Sequence, residues 1–366
     1  MSVFGPGKGE SIVVHLGDGR WIVVDSCIDQ RTKSIPALEY LLSLGVDAAS
    51  QVDLVVATHA HNDHFAGISR VYEQCLQAKF VWSMAATTEE FAALVELDDD
   101  LGVALRPSAF SEYRTVVKIA TDRQQTMGGL RQMKYAAQDR SLFERSETAT
   151  SPAVSVRALS PSDQAIHLAQ SAHAALAFNI DAPRRVIQVD PNKLAVALWI
   201  RSGDRSVLLG ADLPNGPDGC GWSAVLETFL PNGKASLIKI PHHGSPNAHM
   251  DQVWKQLLSK TPVAVVTPYR GSPTPRPSDS DVARMNGLTE HVYTTAPTKL
   301  PSRSRRTGST ASALQGLAGN VRDIWGSVGH VRCRSRVGAA TWDVVTYSPA
   351  VKLSVSIERR GPAARW

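Results

Sequence analysis

The stretch Val52 to Gly67, VDLVVATHAHNDHFAG, constrains this chain more than any other. Its apolar run, Val52 to Ala57, has the length and character of a buried strand. Directly after it come His59, His61, Asp63 and His64. Burying such groups without partners costs on the order of several kcal/mol each. Something must therefore compensate them, and imidazole with carboxylate is a donor set that divalent metals take. His59 and His61 are two apart in an extended segment, so both can face one side. Asp63 and His64 follow as the loop enters a helix, within reach of a second metal about 3.5 to 4 Å away.

The text on either side of this loop says what kind of fold carries it. SIVVHLGDGRWIVVDS reads as a hairpin turning at Gly17-Asp18-Gly19, with its second strand ending at Asp25. Ser34 is placed to cap a helix that has Pro36 in its first turn and stops at Gly45. GISRVYEQCLQAKF reads as a helix and FVWSM as a strand. Hairpin, helix, strand, helix, strand is an α/β order. From 85 to 158 the text turns polar and irregular, which predicts an insertion over the core, a lid or a partner surface. A second hairpin, KLAVALWIRSGDRSVLLGAD, then turns at Gly203-Asp204 and ends near Asp212. ASLIKIPHHGS is a strand running into His242-His243, and PVAVVTPY is another strand. HVRCRSR, TWDVVTYS and VKLSVSIE predict a C-terminal β extension over 325–366.

Bulk properties remove several classes of function. The 366 residues are 43% hydrophobic and 20% charged, which suits a globular chain with a sizeable core. No stretch approaches the roughly 20 apolar residues of a membrane span. The first residues lack a signal-peptide layout, so the expected location is cytoplasmic, with no membrane partner. Cys27, Cys75, Cys220 and Cys333 are far apart and form no C-x-x-C pair, which argues against a disulfide framework or a zinc ribbon. Cys27 reads as a buried bystander. The net charge of +5 and a pI near 9.0 are compatible with an anionic substrate. Part of that charge lies in Pro301 to Ser309, which reads as a solvated loop or, through its arginines at 301–306, as a phosphate-contacting segment.

Polar residues recur at predicted strand ends: Asp25, His59 to His64, Asp212 and His242-His243. Loops at strand ends carry function on a rigid frame. Asp212 is placed to bridge two metals, and one histidine of the 242–243 pair would complete the second. H-x-H-x-D-H at 59–64 resembles the signature of the metallo-β-lactamase superfamily, and the order Asp25, histidine loop, LLGAD, IPHHGS fits it. GPGKGES near the start and HHGS near the end look like the soluble hydrolase domain of ComEC-type DNA-uptake proteins, although that branch carries G-Q-G-D where this chain has GKGE at 7–10. The resemblance covers about 1–85 and 155–300. It implies one metallo-β-lactamase-like αββα sandwich over 1–366, with the mid-chain insertion within it. It implies His59 and His61 on one metal, Asp63 and His64 on the other, Asp212 bridging and His243 as the remaining ligand. His242 would contact substrate or shuttle a proton, and Asp25 would orient the histidine loop from behind. With Asp63 these form the catalytic set: Asp63, His242 and Asp25. One ligand of the superfamily has no counterpart, because His167 and His173, the histidines between the loop and Asp212, lie in a predicted helix.

These residues imply a metal-dependent hydrolase with two divalent ions, zinc first and manganese second, and a dinuclear-metal-activated hydroxide. The leading expectation is a phosphodiesterase, a nuclease acting on nucleic acid. The alternatives are a metallo-peptidase or amidase of the same fold, with a protein partner at 85–158, or a non-catalytic interaction module. The proline-rich loop TPYRGSPTPRPSDSD adds Arg270 and Arg276 as candidate phosphate contacts.

Overall fold

The computed structural model describes residues 1–6, 9–87, 109–178, 190–269, 274–298, 328–336, 338–339 and 341–353. Strands β1 (Ser2–Gly5), β2 (Ser11–His15) and β3 (Trp21–Val24) form an antiparallel meander. The chain then alternates through α1 (Pro36–Ser43), α2 (Ala48–Gln51), β4 (Val52–Val56), α3 (Asn62–Phe65), α4 (Ile68–Gln74) and β5 (Lys79–Ser83), laying β4 and β5 parallel to β3. Helix α1 starts at Pro36 behind Ile35, without a side-chain cap. The Ser34 hydroxyl is instead hydrogen-bonded to that of Thr32, 2.6 Å away, which overturns the predicted capping role.

Helix α5 (Ala109–Thr126), β6 (Met133–Ala136), β7 (Ser141–Arg145), β8 (Val154–Ala158) and α6 (Asp163–Phe178) follow. Next come β9 (Leu198–Ser202), β10 (Arg205–Leu209), α7 (Gly221–Thr228), β11 (Ala235–Lys239), α8 (Asp251–Leu257), β12 (Leu258–Val266), α9 (Asp279–Leu288) and β13 (Val292–Thr294). Strands β14 (Gly329–Arg334), β15 (Asp343–Tyr347) and β16 (Val351–Lys352) end the described chain. One sheet runs β15-β14-β1-β2-β3-β4-β5-β6 and the other β16-β13-β12-β11-β10-β9-β8-β7.

Alternation along the strands builds three cores at once. Leu54 and Val56 face the space between the sheets, where they meet Leu198, Leu209, Leu237 and Val265 of the other sheet. Val55 and Ala57 face outward onto Phe65, Ile68, Val71 and Val116. The second sheet repeats the arrangement, with Leu208 and Ile238 packed against Trp222, Val225 and Met285. The result is helix, sheet, sheet, helix. A strand buried on both faces must be apolar throughout, which is why β4 reads as a nearly continuous hydrophobic run.

The polar stretch at 85–158 is not wholly an insertion. Residues 88–108 lie outside the described residues, but β6 closes the edge of the first sheet and β7 and β8 belong to the second. The edge strands β6 and β7 lack the clean alternation that would have announced them, whereas the interior strand β8 alternates over only five residues. The C-terminal strands are likewise integral, since β14 pairs with β1 and β16 with β13. All four cysteines are buried and unpaired, and burial pushes the Cys75 thiol up to about 12. No helix among the described residues is long and apolar enough to cross a membrane.

Arg123 of α5 ties its helix to α4. Its guanidinium stacks over the Tyr72 ring at 4.2 Å and donates to the carbonyl oxygens of Tyr72, Glu73 and Cys75, which end α4. Helix-terminal carbonyls lack partners within the helix and need such donors. Replacing Arg123 by Met should lower unfolding free energy by about 1 to 3 kcal/mol, measured by urea denaturation.

Candidate metal centre

The parallel pairs β3/β4 and β10/β11 end in the same direction, and each end carries polar residues. Asp25 follows β3, the histidine loop follows β4, Asp212 follows β10, and His242-His243 follows β11. Several of these residues adopt left-handed backbone: Asp25 (φ 57), Ala211 (φ 45), His242 (φ 44) and His243 (φ 52). Such conformations cost about 1 to 3 kcal/mol each and persist only where the surroundings enforce them. Here the enforcement is visible. The Asp25 amide donates to the Val56 carbonyl at 2.7 Å, and the His242 amide to the Ala211 carbonyl at 2.9 Å. Arg284 donates to the Gly244 carbonyl at 2.5 Å while also holding Asp281.

Two groups of ligand-type atoms result, each within 4.8 Å: His59, His61 and Asp212, and Asp63, His64 and His243. Asp212 stands between them. Its oxygens lie 3.8 Å from His59 Nε2, 3.4 Å from His64 Nε2 and 3.6 Å from His243 Nε2. Asp63 Oδ2 lies 3.2 Å from His243 Nε2 and 3.8 Å from His64 Nε2. His242 stands at the margin, with Nε2 4.0 Å from Asp212 and Nδ1 3.0 Å from Asn247 Oδ1.

Hydrogen bonds behind three of the histidines hold their Nδ1 atoms and turn Nε2 toward the Asp63 and Asp212 carboxylates. His64 Nδ1 donates to Asp25 Oδ2 at 2.7 Å, and His243 Nδ1 donates to the Thr267 carbonyl at 2.9 Å. Thr58 donates its hydroxyl to Asp25 Oδ2 at 2.8 Å, so its oxygen accepts from His59 Nδ1 at 3.0 Å. Nε2 of His59, Nε2 of His64 and Oδ1 of Asp212 are buried and have no hydrogen-bond partner. Orphaned buried polar atoms are costly, and all three lie in one cluster around Asp212. Divalent cations fit this donor set, since each group offers two imidazoles and a carboxylate.

Charge is distributed accordingly. Burial, reinforced by the neighbouring His64, holds His59 well below the ordinary imidazole pKa. Burial also acts on His64, but Asp212, Asp25, Asp63 and Glu10 outweigh it and raise that pKa. His243 is raised by Asp212 and Asp63 in the same way, against burial. Burial works against ionised Asp212, yet His64 and His243 keep its carboxyl well below the usual range.

The structure thus brings together His59, His61, Asp63, His64, Asp212 and His243, and sets Asp25 directly behind them. It favours His243 over His242 as a member of the second group. His167 is exposed on α6, away from both groups. Arg276 donates to Asp281 Oδ2 at 2.7 Å, and its backbone pairs with that of Tyr269. Arg270 and the 301–306 run lie outside the described residues. Sequence reasoning missed Thr58, Thr267 and Tyr269, whose ring stacks on that of His243 at 5.0 Å and 18°. It also passed over Lys239, although one lysine inside the apolar run ASLIKI was a signal.

Because His64 and His243 have raised pKa values, a cation must displace their protons. Loading should release protons, and apparent affinity should fall as pH falls, roughly tenfold per pH unit for each proton displaced. Calorimetry in buffers of different ionisation enthalpy reads this directly. Asp25→Asn should weaken cation binding roughly 10- to 100-fold with the fold retained, as measured by chelator competition.

Comparison with known proteins gives a sequence match and weak structural likenesses. A CmlA β-hydroxylase E377D mutant is similar at 16% identity and TM-score 0.33, over 65% of this chain and 34% of that one. A protein of unknown function from Enterococcus faecalis V583 is similar at 14% identity and TM-score 0.30, over 78% of this chain and 56% of that one. The chain therefore spans about a third to just over half the length of these proteins. No curated protein matches it. Residues 4–75, which carry Asp25 and the histidine loop, match the Metallo-beta-lactamase superfamily, and the two helix-covered sheets have the architecture of that fold.

Proposed function

We propose that this chain is a two-cation hydrolase of phosphodiesters, with nucleic acid as the leading substrate. The observation that carries this reading is Asp212, a single buried carboxylate placed between two groups that each hold two imidazoles. In this reading His59, His61 and Asp212 would hold one cation and Asp63, His64 and His243 the other, with Asp212 within reach of both groups. Zinc is the first choice for such donors and manganese the second. Bound there, the cations would supply Lewis-acid activation of water and neutralise charge building on phosphate oxygens.

The remaining work falls to side chains. His242 is half-buried, and burial lowers its pKa, so the ring is neutral near pH 7. With Nδ1 donating to Asn247, the Nε2 lone pair faces Asp212 and is placed to take up a proton or bind a substrate hydroxyl. Asp63, also half-buried, is the ligand at the open side. Asp25 is buried behind His64 and acts by positioning it. The mild basic excess supports an anionic substrate. Arg276 is committed to Asp281, so neutralising phosphate falls mainly to the cations.

A panel of single- and double-stranded DNA, RNA, a chromogenic phosphodiester, peptides and esters, each with Mn²⁺ or Zn²⁺, tests the reading. Phosphodiester cleavage by the wild type should drop at least 100-fold in Asp212→Asn. Cleavage confined to peptides or esters, or phosphodiester cleavage that Asp212→Asn leaves intact, would refute it.

A further inference from the structure

Lys239 ends β11 on the side of Leu237, which faces the space between the two sheets. Its side chain has no solvent exposure. An ammonium in such a place needs a counter-charge. The opposite sheet supplies one: Glu10 Oε2 lies 2.7 Å from Lys239 Nζ, with both side chains buried. Lys239 Nζ also donates to the Ile240 carbonyl at 3.1 Å.

Each member of the pair is fixed to a different half of the metal centre. The Glu10 amide donates to the Asp63 carbonyl at 2.8 Å. Gly9, just before it, approaches so closely that a Cβ there would lie 1.5 Å from the Asp63 oxygen. Glu10 Oε1 is 4.0 Å from His64 Nδ1, and Glu10, Asp25 and His64 present atoms within 4.8 Å of one another. On the other side, the Gly210 amide donates to the Lys239 carbonyl at 3.1 Å, which locks the strand end before Asp212 to the strand end before His243. The pair therefore links the segment bearing His59, His61, Asp63 and His64 to the segments bearing Asp212 and His243. It lies on the Nδ1 side of His64, away from the nitrogen that faces the centre.

We propose that Glu10 and Lys239 are positioning residues whose buried ion pair sets the separation of the two ligand halves, and so the spacing and joint occupancy of the two cations. The inference rests on the two-cation reading above. Apolar side chains of similar volume would hold the sheets together as well as a buried ion pair does, or better. What the ion pair adds is one defined short distance across the sandwich, where apolar contact tolerates sliding. It also balances the charge of Glu10, whose Oε1 stays 4.0 Å from His64 Nδ1 while Asp25 Oδ2, at 2.7 Å, accepts that proton.

The test uses the full chain loaded with Mn²⁺. Cation stoichiometry and affinity are measured by equilibrium dialysis, cation–cation spacing by exchange coupling in electron paramagnetic resonance, and cation-free stability by thermal unfolding. Glu10→Gln and Lys239→Met should each lower the cation-free unfolding midpoint, because each leaves a buried charge alone. The double variant Glu10→Gln/Lys239→Met should recover most of that midpoint, yet bind the second Mn²⁺ roughly 10- to 100-fold more weakly and lose the coupled signal. Glu10→Asp keeps the charge and shortens the arm by one methylene; it should shift the coupling even if the double variant does not fold. A folded double variant with wild-type affinity and coupling would overturn the proposal, as would an unchanged Glu10→Asp. A wild type that never binds two cations would overturn the two-cation reading itself, and the clamp with it.

Discussion

The centre depends on one carboxylate that water does not reach. Asp25 Oδ2 accepts the His64 Nδ1 proton and the Thr58 hydroxyl proton, and Thr58 in turn accepts from His59 Nδ1. One oxygen therefore fixes the tautomer and ring orientation of a ligand in each group. Its other oxygen accepts the Thr58 amide, which anchors the start of the histidine loop to the end of β3. Side chains oriented this way have already spent the conformational freedom that binding a cation would otherwise cost.

That preorganisation is held against backbone strain. The left-handed residues at Asp25, Ala211, His242 and His243 mark the strand ends where the chain turns sharply to aim a side chain inward. The sheets stabilise these turns, and so does a fastening outside them. Asp281 receives Arg276 and Arg284, and Arg284 reaches the Gly244 carbonyl. An arginine read from sequence as a candidate phosphate contact thus belongs to the support of the His242–Gly244 turn.

What was legible in the sequence was what is local. An apolar run followed by H-x-H-x-D-H points to its chemistry within a few residues, because four such groups at a buried strand end call for compensation. Asp25, Asp212 and His243 were legible only as strand-end residues in a familiar order, since their meeting is a matter of sheet topology. Thr58 and Thr267 were not legible. They act through one hydroxyl and one carbonyl, and neither leaves a mark on a pattern. Strands β6 to β8 were misread for a related reason. Strands β6 and β7 are edge strands with one neighbour and partial burial, so their text looks like polar loop, and β8 is short and follows directly on that polar text. Lys239 stood out as an anomaly in an apolar run, and only its partner across the sandwich explains it.

The division of the ligands between two sheets has a consequence in time as well as in space. In the two-cation reading, neither sheet alone would present all six side chains, so full occupancy would wait for the sheets to meet. The long-range docking of the sandwich would come first, and cations would then bind what docking has built. From that moment they would report on the joint, because any opening that parts the sheets would dismantle both groups together. A ligand that binds only the closed state also deepens it by mass action, so cation supply and the lifetime of the closed sandwich become one variable.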